Sequence, residues 1–379
     1  MQEGSETTSS QPAVVSAVLA LAIGVTVAAI ALAEGPGPGV PRSFYGVVSQ
    51  SPLTDEDLDR MGRGEVGTLR LLMNWQSIDP TAAEDDYDWS AIDPMIVGAA
   101  RNGIQPLPFV FGTPTWVAQD LDRNRCSDDC LLHAPRSSAA LDAWRRFLGA
   151  ATARYGPGGK IWAENPDLPA VPITTWQIWN EQNSKTFYLP DPDANAYAKL
   201  LVTAADSIRA QDPEAKILIG GMFGTPFGGE TPSLTAWEFL DQLYEVPEIA
   251  ASFDGIGAHP YSARLPKVEE QLRLMRDEVV DAGDADAELW ITEVGWSSGT
   301  DGNPLERGRS GQATRLREAM DYFLSVRDTY RIANVTWFAW RDLGGAPICD
   351  WCAEAGLFEA EALTPKPSWR TLVDYTGGH

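Results

Sequence analysis

From Ser43 onward, short runs of apolar, β-branched and aromatic residues alternate with longer stretches of helical periodicity, and the alternation recurs eight times. The strand-like runs are Phe44–Gln50, Thr68–Trp75, Gln105–Gly112, the stretch Thr174–Asn183, Lys216–Met222, Phe253–Tyr261, Leu289–Trp296 and Asn334–Asp342. Helices are expected after Thr54, where the acidic run Asp55-Glu56-Asp57 fills a first turn, and at Trp89–Gly103, Ala139–Tyr155, Asp193–Gln211, Thr235–Tyr244, Lys267–Ala282 and Gly311–Arg327. A short helix at Ser368–Tyr375 would close the chain. Strands buried on both faces by helical crossovers read as near-continuous apolar runs, and eight such units predict a single closed (β/α)8 barrel, a TIM barrel, over residues 43–379. An open doubly wound sheet is the competitor. It would carry a glycine-rich phosphate turn after the first strand, and none is present.

The N-terminus has a different character. Residues 1–12 are polar without Lys or Arg, and Ala13 to Ala33 is continuously apolar or small, ending in Ala31-Leu32-Ala33. Its length is enough to span a bilayer, and its end fits a signal-peptidase site. Two readings stay open, a cleaved signal peptide or a retained anchor in contact with the membrane. Either makes the remainder extracellular or cell-surface. Residues 34–42 (EGPGPGVPR) form a Pro/Gly linker.

Charge and cysteine content exclude some function classes. With 53 Asp and Glu against 29 Lys and Arg, the net charge is −24, which disfavours nucleic acid as a partner. Only His133, His259 and His379 are available as imidazole ligands, so no metal site is expected. The cysteines form two close pairs, Cys126/Cys130 and Cys349/Cys352; the first lacks the spacing of a zinc ribbon. Disulfides suit an exported chain, and of the three connectivities the two local ones are favoured.

In a barrel of this kind functional residues gather at the C-terminal ends of the strands. There the run Trp176-Gln177-Ile178-Trp179 ends in Asn180-Glu181, and Trp290-Ile291-Thr292 ends in Glu293. A buried carboxylate costs several kcal/mol unless paired, so strand-end glutamates face a cleft more readily than a core. Arg70 lies inside the second run, Trp116 just after the third, His259 and Tyr261 end the sixth, and Trp340 lies near the end of the eighth. Singly, each has a bland explanation: a salt-bridged barrel arginine, a satisfied histidine, a core tryptophan. Jointly they describe a site in which two carboxylates divide the work of cleaving a glycosidic bond. One is protonated and donates; the other is ionised, favoured by Arg70, and attacks. Spacing alone leaves open which glutamate takes which role.

The segments Trp179-Asn180-Glu181 and Ile291-Thr292-Glu293-Val294-Gly295-Trp296 resemble those of the clan A retaining glycoside hydrolases on (β/α)8 barrels. With Thr113-Pro114-Thr115-Trp116 and Ala258-His259-Pro260-Tyr261, the likeness is strongest to family 39 and related bacterial enzymes acting on exopolysaccharides, with family 5 second. It covers roughly Ser43 to Tyr375. The resemblance implies that Glu181 is the acid/base and Glu293 the nucleophile. It further implies that Asn180 bonds a sugar hydroxyl, that Tyr261 orients Glu293, that Arg70 and His259 belong to the same site, and that Trp340 forms an aromatic floor. A carbohydrate substrate, β-linked and cleaved with retention, no cofactor and a monomeric state are expected. A non-catalytic glycan-binding barrel and a transglycosylase are the alternatives. One departure is Gln182 where the clan ordinarily has Pro. Trp162-Ala163-Glu164-Asn165-Pro166 imitates the fourth-strand motif, but its Gly- and Pro-rich flanks favour a loop.

Overall fold

The computed structural model describes residues 39–50, 52–83, 86–224, 234–343 and 349–379. The apolar segment Ala13–Ala33 lies outside the described residues. The eight strands are β1 (Tyr45–Val48), β2 (Thr68–Asn74), β3 (Gln105–Phe111), β4 (Thr175–Ile178), β5 (Lys216–Phe223), β6 (Gly255–His259), β7 (Glu288–Val294) and β8 (Ile332–Trp337). All pair in parallel in sequence order, and β1 closes on β8 through Gly46↔Thr336 and Val47↔Trp337. The helices are α1 (Asp55–Arg63), α2 (Trp75–Ile78), α3 (Asp93–Arg101), α4 (Ser138–Tyr155), α5 (Lys160–Glu164), α6 (Ala194–Arg209), α7 (Ala236–Tyr244), α8 (Leu265–Asp281), α9 (Gly308–Tyr330) and α10 (Pro367–Thr376).

Local chemistry sets these boundaries. Thr54 caps α1 reciprocally with Asp57, its hydroxyl accepting from the Asp57 N–H while the Asp57 carboxylate accepts from the Thr54 N–H at 2.7 Å. Thr235 and Glu238 repeat the device at α7. Asp193 caps α6 and Ser137 caps α4. Arg42, expected in the linker, is already tied to the barrel, donating to the carbonyls of Val66 and Asn102 at 3.1 and 3.2 Å.

The strands are buried along almost their whole length, as a sheet covered by helices outside and by packed side chains inside must be. Half of the chain's 14 tryptophans are fully buried in this core: Trp75, Trp144, Trp176, Trp179, Trp296, Trp337 and Trp340. Both disulfides are local, Cys126–Cys130 and Cys349–Cys352. The first three residues of the imitation motif end the short helix α5 and only Asn165-Pro166 are loop, and Glu164 accepts from Arg154 at 3.0 Å.

Candidate active site

The site begins where β4 stops. In a regular strand, consecutive side chains point to opposite faces, so Asn180 and Glu181 could not both face the barrel axis. The strand ends at Ile178, and Trp179 and Glu181 adopt left-handed backbone angles, φ 72° and 45°. For residues of this bulk such a conformation costs about 1–3 kcal/mol each and persists only when its surroundings enforce it. They do. The Trp179 N–H donates to Val110 O and its indole to Phe187 O, while the Glu181 N–H donates to Gly221 O at 2.8 Å. Gln182 Nε2 donates to Gly220 O, and Asn183 Nδ2 donates to Phe223 O and Leu234 O. The bend is therefore bolted to β5, and both side chains turn inward.

Arg70 is the hub. Wholly buried, it donates from Nε to Gln177 Oε1 at 2.8 Å, from Nη1 to Glu293 Oε1 at 2.6 Å and from Nη2 to Asn180 Oδ1 at 2.9 Å. Its guanidinium lies 4.1 Å over the Phe109 ring, a cation–π contact made by a fully buried cation. The planar fork thus fixes three side chains at once, from β4, the bend after it and β7. Tyr261 completes the hold on Glu293, its hydroxyl donating to Oε2 at 2.9 Å. Burial, reinforced by the Glu293 charge, pushes the Tyr261 phenol well above its ordinary value, so it stays a donor.

Glu181 sits in a different environment. Its Oε1 lies 2.7 Å from His259 Nδ1, and His259 Nε2 lies 3.1 Å from the Thr292 hydroxyl. Burial, then the nearby Glu293 charge, drives the Glu181 carboxyl well above the ordinary glutamate range, against the opposing pull of Arg70. Burial, then Arg70, drives His259 well below its ordinary value. By distance alone the His259–Glu181 contact qualifies as an ion pair. Both shifts favour the uncharged forms, so it is better described as a hydrogen bond between a neutral imidazole and a carboxylic acid. Gly221 makes room for the ring: a Cβ there would come within 1.9 Å of His259 Nε2.

A carboxylate oxygen of Glu181, one of Glu293 and a ring nitrogen of His259 all lie within 4.8 Å of one another. Their spacing would admit a cation, but the Arg70 guanidinium already supplies positive charge at this place.

Of the eight residues singled out from sequence, Arg70, Asn180, Glu181, His259, Tyr261 and Glu293 converge. Trp116 and Trp340 do not join them. Trp116, on the loop after β3, donates its indole N–H to Asp79 O at 3.0 Å, and among the described residues no hydrogen bond links it to the carboxylates. Trp340 forms no floor. β8 ends three residues earlier, at Trp337, and the chain has turned outward by Trp340. Its indole donates to the buried Asp57 of α1 at 2.8 Å and meets Trp369 of α10 edge-on at 5.4 Å. Phe338 is the residue that reaches inward, 6.0 Å from Tyr261. Gln177, Thr292, Phe109 and Trp351 also belong to the cluster and escaped the sequence reading. Gln177 left a detectable signal, an amide inside an otherwise apolar run, the same anomaly that marked Arg70.

The structure is similar to that of a family 39 glycoside hydrolase from Bacteroides cellulosilyticus WH2, with a TM-score of 0.63 at 19% identity over 89% of this chain and 64% of that one. It is also similar to a monomeric β-xylosidase from Caulobacter crescentus CB15, with TM-score 0.62, 18% identity, and 91% and 69% coverage. A third likeness is to an intracellular xylanase from Thermoanaerobacterium saccharolyticum, with TM-score 0.56, 16% identity, and 88% and 99% coverage. The chain thus spans somewhat under two thirds of the Bacteroides enzyme's length. No protein-family model and no curated protein matches the sequence. At these identities the likenesses establish the (β/α)8 fold, and the structural neighbours are family 39 and other clan A glycosidases.

Proposed function

We propose that this protein is a retaining glycoside hydrolase that cleaves β-linked sugars in a polysaccharide or oligosaccharide. The observation that carries the reading is the glutamate pair: two carboxyl groups with oxygens within 4.8 Å, one ion-paired to Arg70 and the other pushed toward its protonated form. Carboxyls about 5–5.5 Å apart suit double displacement, whereas inversion needs roughly 6.5–9.5 Å to seat a water between them.

Glu293, held at both oxygens by Arg70 and Tyr261, attacks the anomeric carbon. Glu181 gives its proton to the departing glycosidic oxygen, and the bond from that oxygen to the sugar breaks. A water then enters, Glu181 takes its proton, and the hydroxyl replaces Glu293 on the sugar carbon, restoring both groups. An imidazole proton on Nδ1 of His259, donated to Glu181 Oε1, with Nε2 accepting from Thr292, keeps the acid proton on the other oxygen, free to move. Nucleophile and proton donor are both side chains, so the reaction requires no cofactor. Asn180, with Oδ1 engaged by Arg70, offers its Nδ2 donors to a sugar hydroxyl.

We also read the chain as an exported protein acting as a monomer. Its two disulfides suit an oxidising compartment, and one structural neighbour is a monomeric β-xylosidase. Proton NMR of the first-formed product tests the mechanism. The β-anomer should appear before mutarotation, and initial release of the α-anomer from a β-glycoside would overturn it.

A further inference from the structure

Around Glu293 the wall of the site changes character. On one side are the amides and guanidinium of Gln177, Asn180 and Arg70. On the other are aromatic rings: Tyr261 meets Trp351 edge-on at 5.0 Å, and Trp351 lies 5.4 Å from Phe338. Tyr261 and Phe338 are 2% and 6% exposed, whereas Trp351 is partly exposed. Of these three rings, Trp351 is the one with surface left to offer a ligand.

Trp351 does not come from a strand. It lies in a short 3-10 turn, Asp350–Glu354, in the segment between β8 and α10. The far end of that turn is fixed to the barrel by hydrogen bonds. Leu343 N–H donates to Ala353 O, Ser298 N–H and Lys366 Nζ donate to Glu354 O, and Ala339 N–H donates to Ala355 O. Among the described residues no such bond to the barrel comes from Asp350 or Trp351. What restrains that end is the Cys349–Cys352 bridge, which closes a ring around these two residues.

We propose that Trp351 is a stacking platform for the pyranose ring seated against Glu293, and that the Cys349–Cys352 disulfide holds it there. This rests on the glycosidase reading and deepens it. The C–H bonds on one face of a pyranose are polarised by their oxygens, so their hydrogens are drawn to the negative face of an indole, and the contact also excludes water. An aromatic ring so placed binds the ring of a β-linked hexose or pentose while making no bond to the reacting atoms. Its removal therefore weakens binding more than turnover.

The test uses the full chain. A panel of 4-nitrophenyl β-xyloside, β-glucoside and β-mannoside, with the corresponding β-1,4-linked trisaccharides, first identifies the best-hydrolysed substrate. On that substrate Trp351→Ala should raise KM about tenfold with kcat within about threefold of the parent. Trp351→Tyr, which keeps a π face, should stay within about threefold on both. Trp351→Leu, which keeps apolar bulk without the π face, should resemble the alanine variant, and it replaces that variant if the latter does not fold. The double variant Cys349→Ser/Cys352→Ser should raise KM with Trp351 still present, and Cys126→Ser/Cys130→Ser should leave KM unchanged. A KM within twofold of the parent for both Trp351→Ala and Trp351→Leu overturns the platform. An unaltered KM in the Cys349/Cys352 double variant overturns the role of the bridge. If the parent cleaves no member of the panel, the glycosidase reading fails and the platform falls with it, an outcome separate from active enzyme with unaltered Trp351 variants.

Discussion

The two ends of the barrel treat charge in opposite ways. At the N-terminal end a cavity of about 290 Å3 is lined by Thr68, Gln105, Thr175, Lys216 and Trp290. Its ion pair, Lys216 with Glu288 at 2.9 Å, is half exposed, and Glu288 also accepts from the Trp290 indole. Lys216 and Glu288 neutralise each other there and are both partly exposed. At the C-terminal end one buried guanidinium is ion-paired to Glu293 alone, so the second buried glutamate, Glu181, has only the His259 ring as its partner and is pushed toward its protonated form. A satisfied ion pair adds little more than solubility and local order, whereas an unbalanced buried cluster stores free energy as a displaced protonation state.

The comparison can be broken by experiment, beginning with the largest effect. Glu293→Gln removes the attacking group and should lower kcat by about 10⁴-fold or more, read by initial rates on the best glycoside. Glu181→Gln removes the proton donor and should cost about 10²–10⁴-fold on a substrate with a poor leaving group. If either variant retains parental rates, the C-terminal mouth is not the reacting end. Arg70→Met should lower kcat by about 10²–10³-fold, because Glu293 and Asn180 both lose the donor that sets their geometry. It should also destabilise the fold by about 3–5 kcal/mol in denaturant titration, since a buried carboxylate loses its cation.

The displaced protonation of Glu181 gives a prediction with a definite sign. Its folded-state pKa is raised above the ordinary 4.5, so the folded chain holds a proton that the unfolded chain releases. The stability this contributes is fully present below 4.5 and is lost as pH rises through the folded-state value. Glu181→Gln removes that loss. Urea titrations at pH 5 and pH 8 should find the variant gaining on the parent as pH rises, even as its activity disappears. In the parent the same group sets the alkaline limb of kcat/KM, because the acid must be protonated to donate. The limb should lie at higher pH than a glutamate titrating at 4.5 would place it. The smallest effect is expected at the other end: Lys216→Met should leave kcat/KM within twofold and stability within about 1 kcal/mol, as half-exposed pairs generally do. A large loss of activity there would erase the contrast between the two ends.

Much of this architecture was legible in the sequence. The eight strand runs matched observed strands to within a few residues at most ends, because a fully covered parallel strand demands unbroken apolar composition. Arg70, Glu181, His259 and Glu293 stood out for a related reason: a charge or imidazole inside or ending such a run has no place in an apolar core. Trp340 shows the limit of that logic. Its run continued to Asp342 in composition, yet the strand ended at Trp337, and an aromatic residue at a strand end is acceptable to core and cleft alike. Trp351 was out of reach altogether. Nothing between two cysteines says which ring a loop will lie against.

The order of residues by itself determined that a closed parallel barrel would form and that its acidic strand ends would be exceptional, because periodicity and burial cost act through neighbours along the chain. Tertiary structure alone decided that Glu181 and Glu293 come within 4.8 Å and that Arg70 binds one of them directly. It also decided that Phe338 and Trp351, not Trp340, complete the wall. Those outcomes depend on barrel closure, on a left-handed bend after β4 and on how a cross-linked loop returns to the mouth. Such distances are set by packing across the fold, and local pattern carries no record of them.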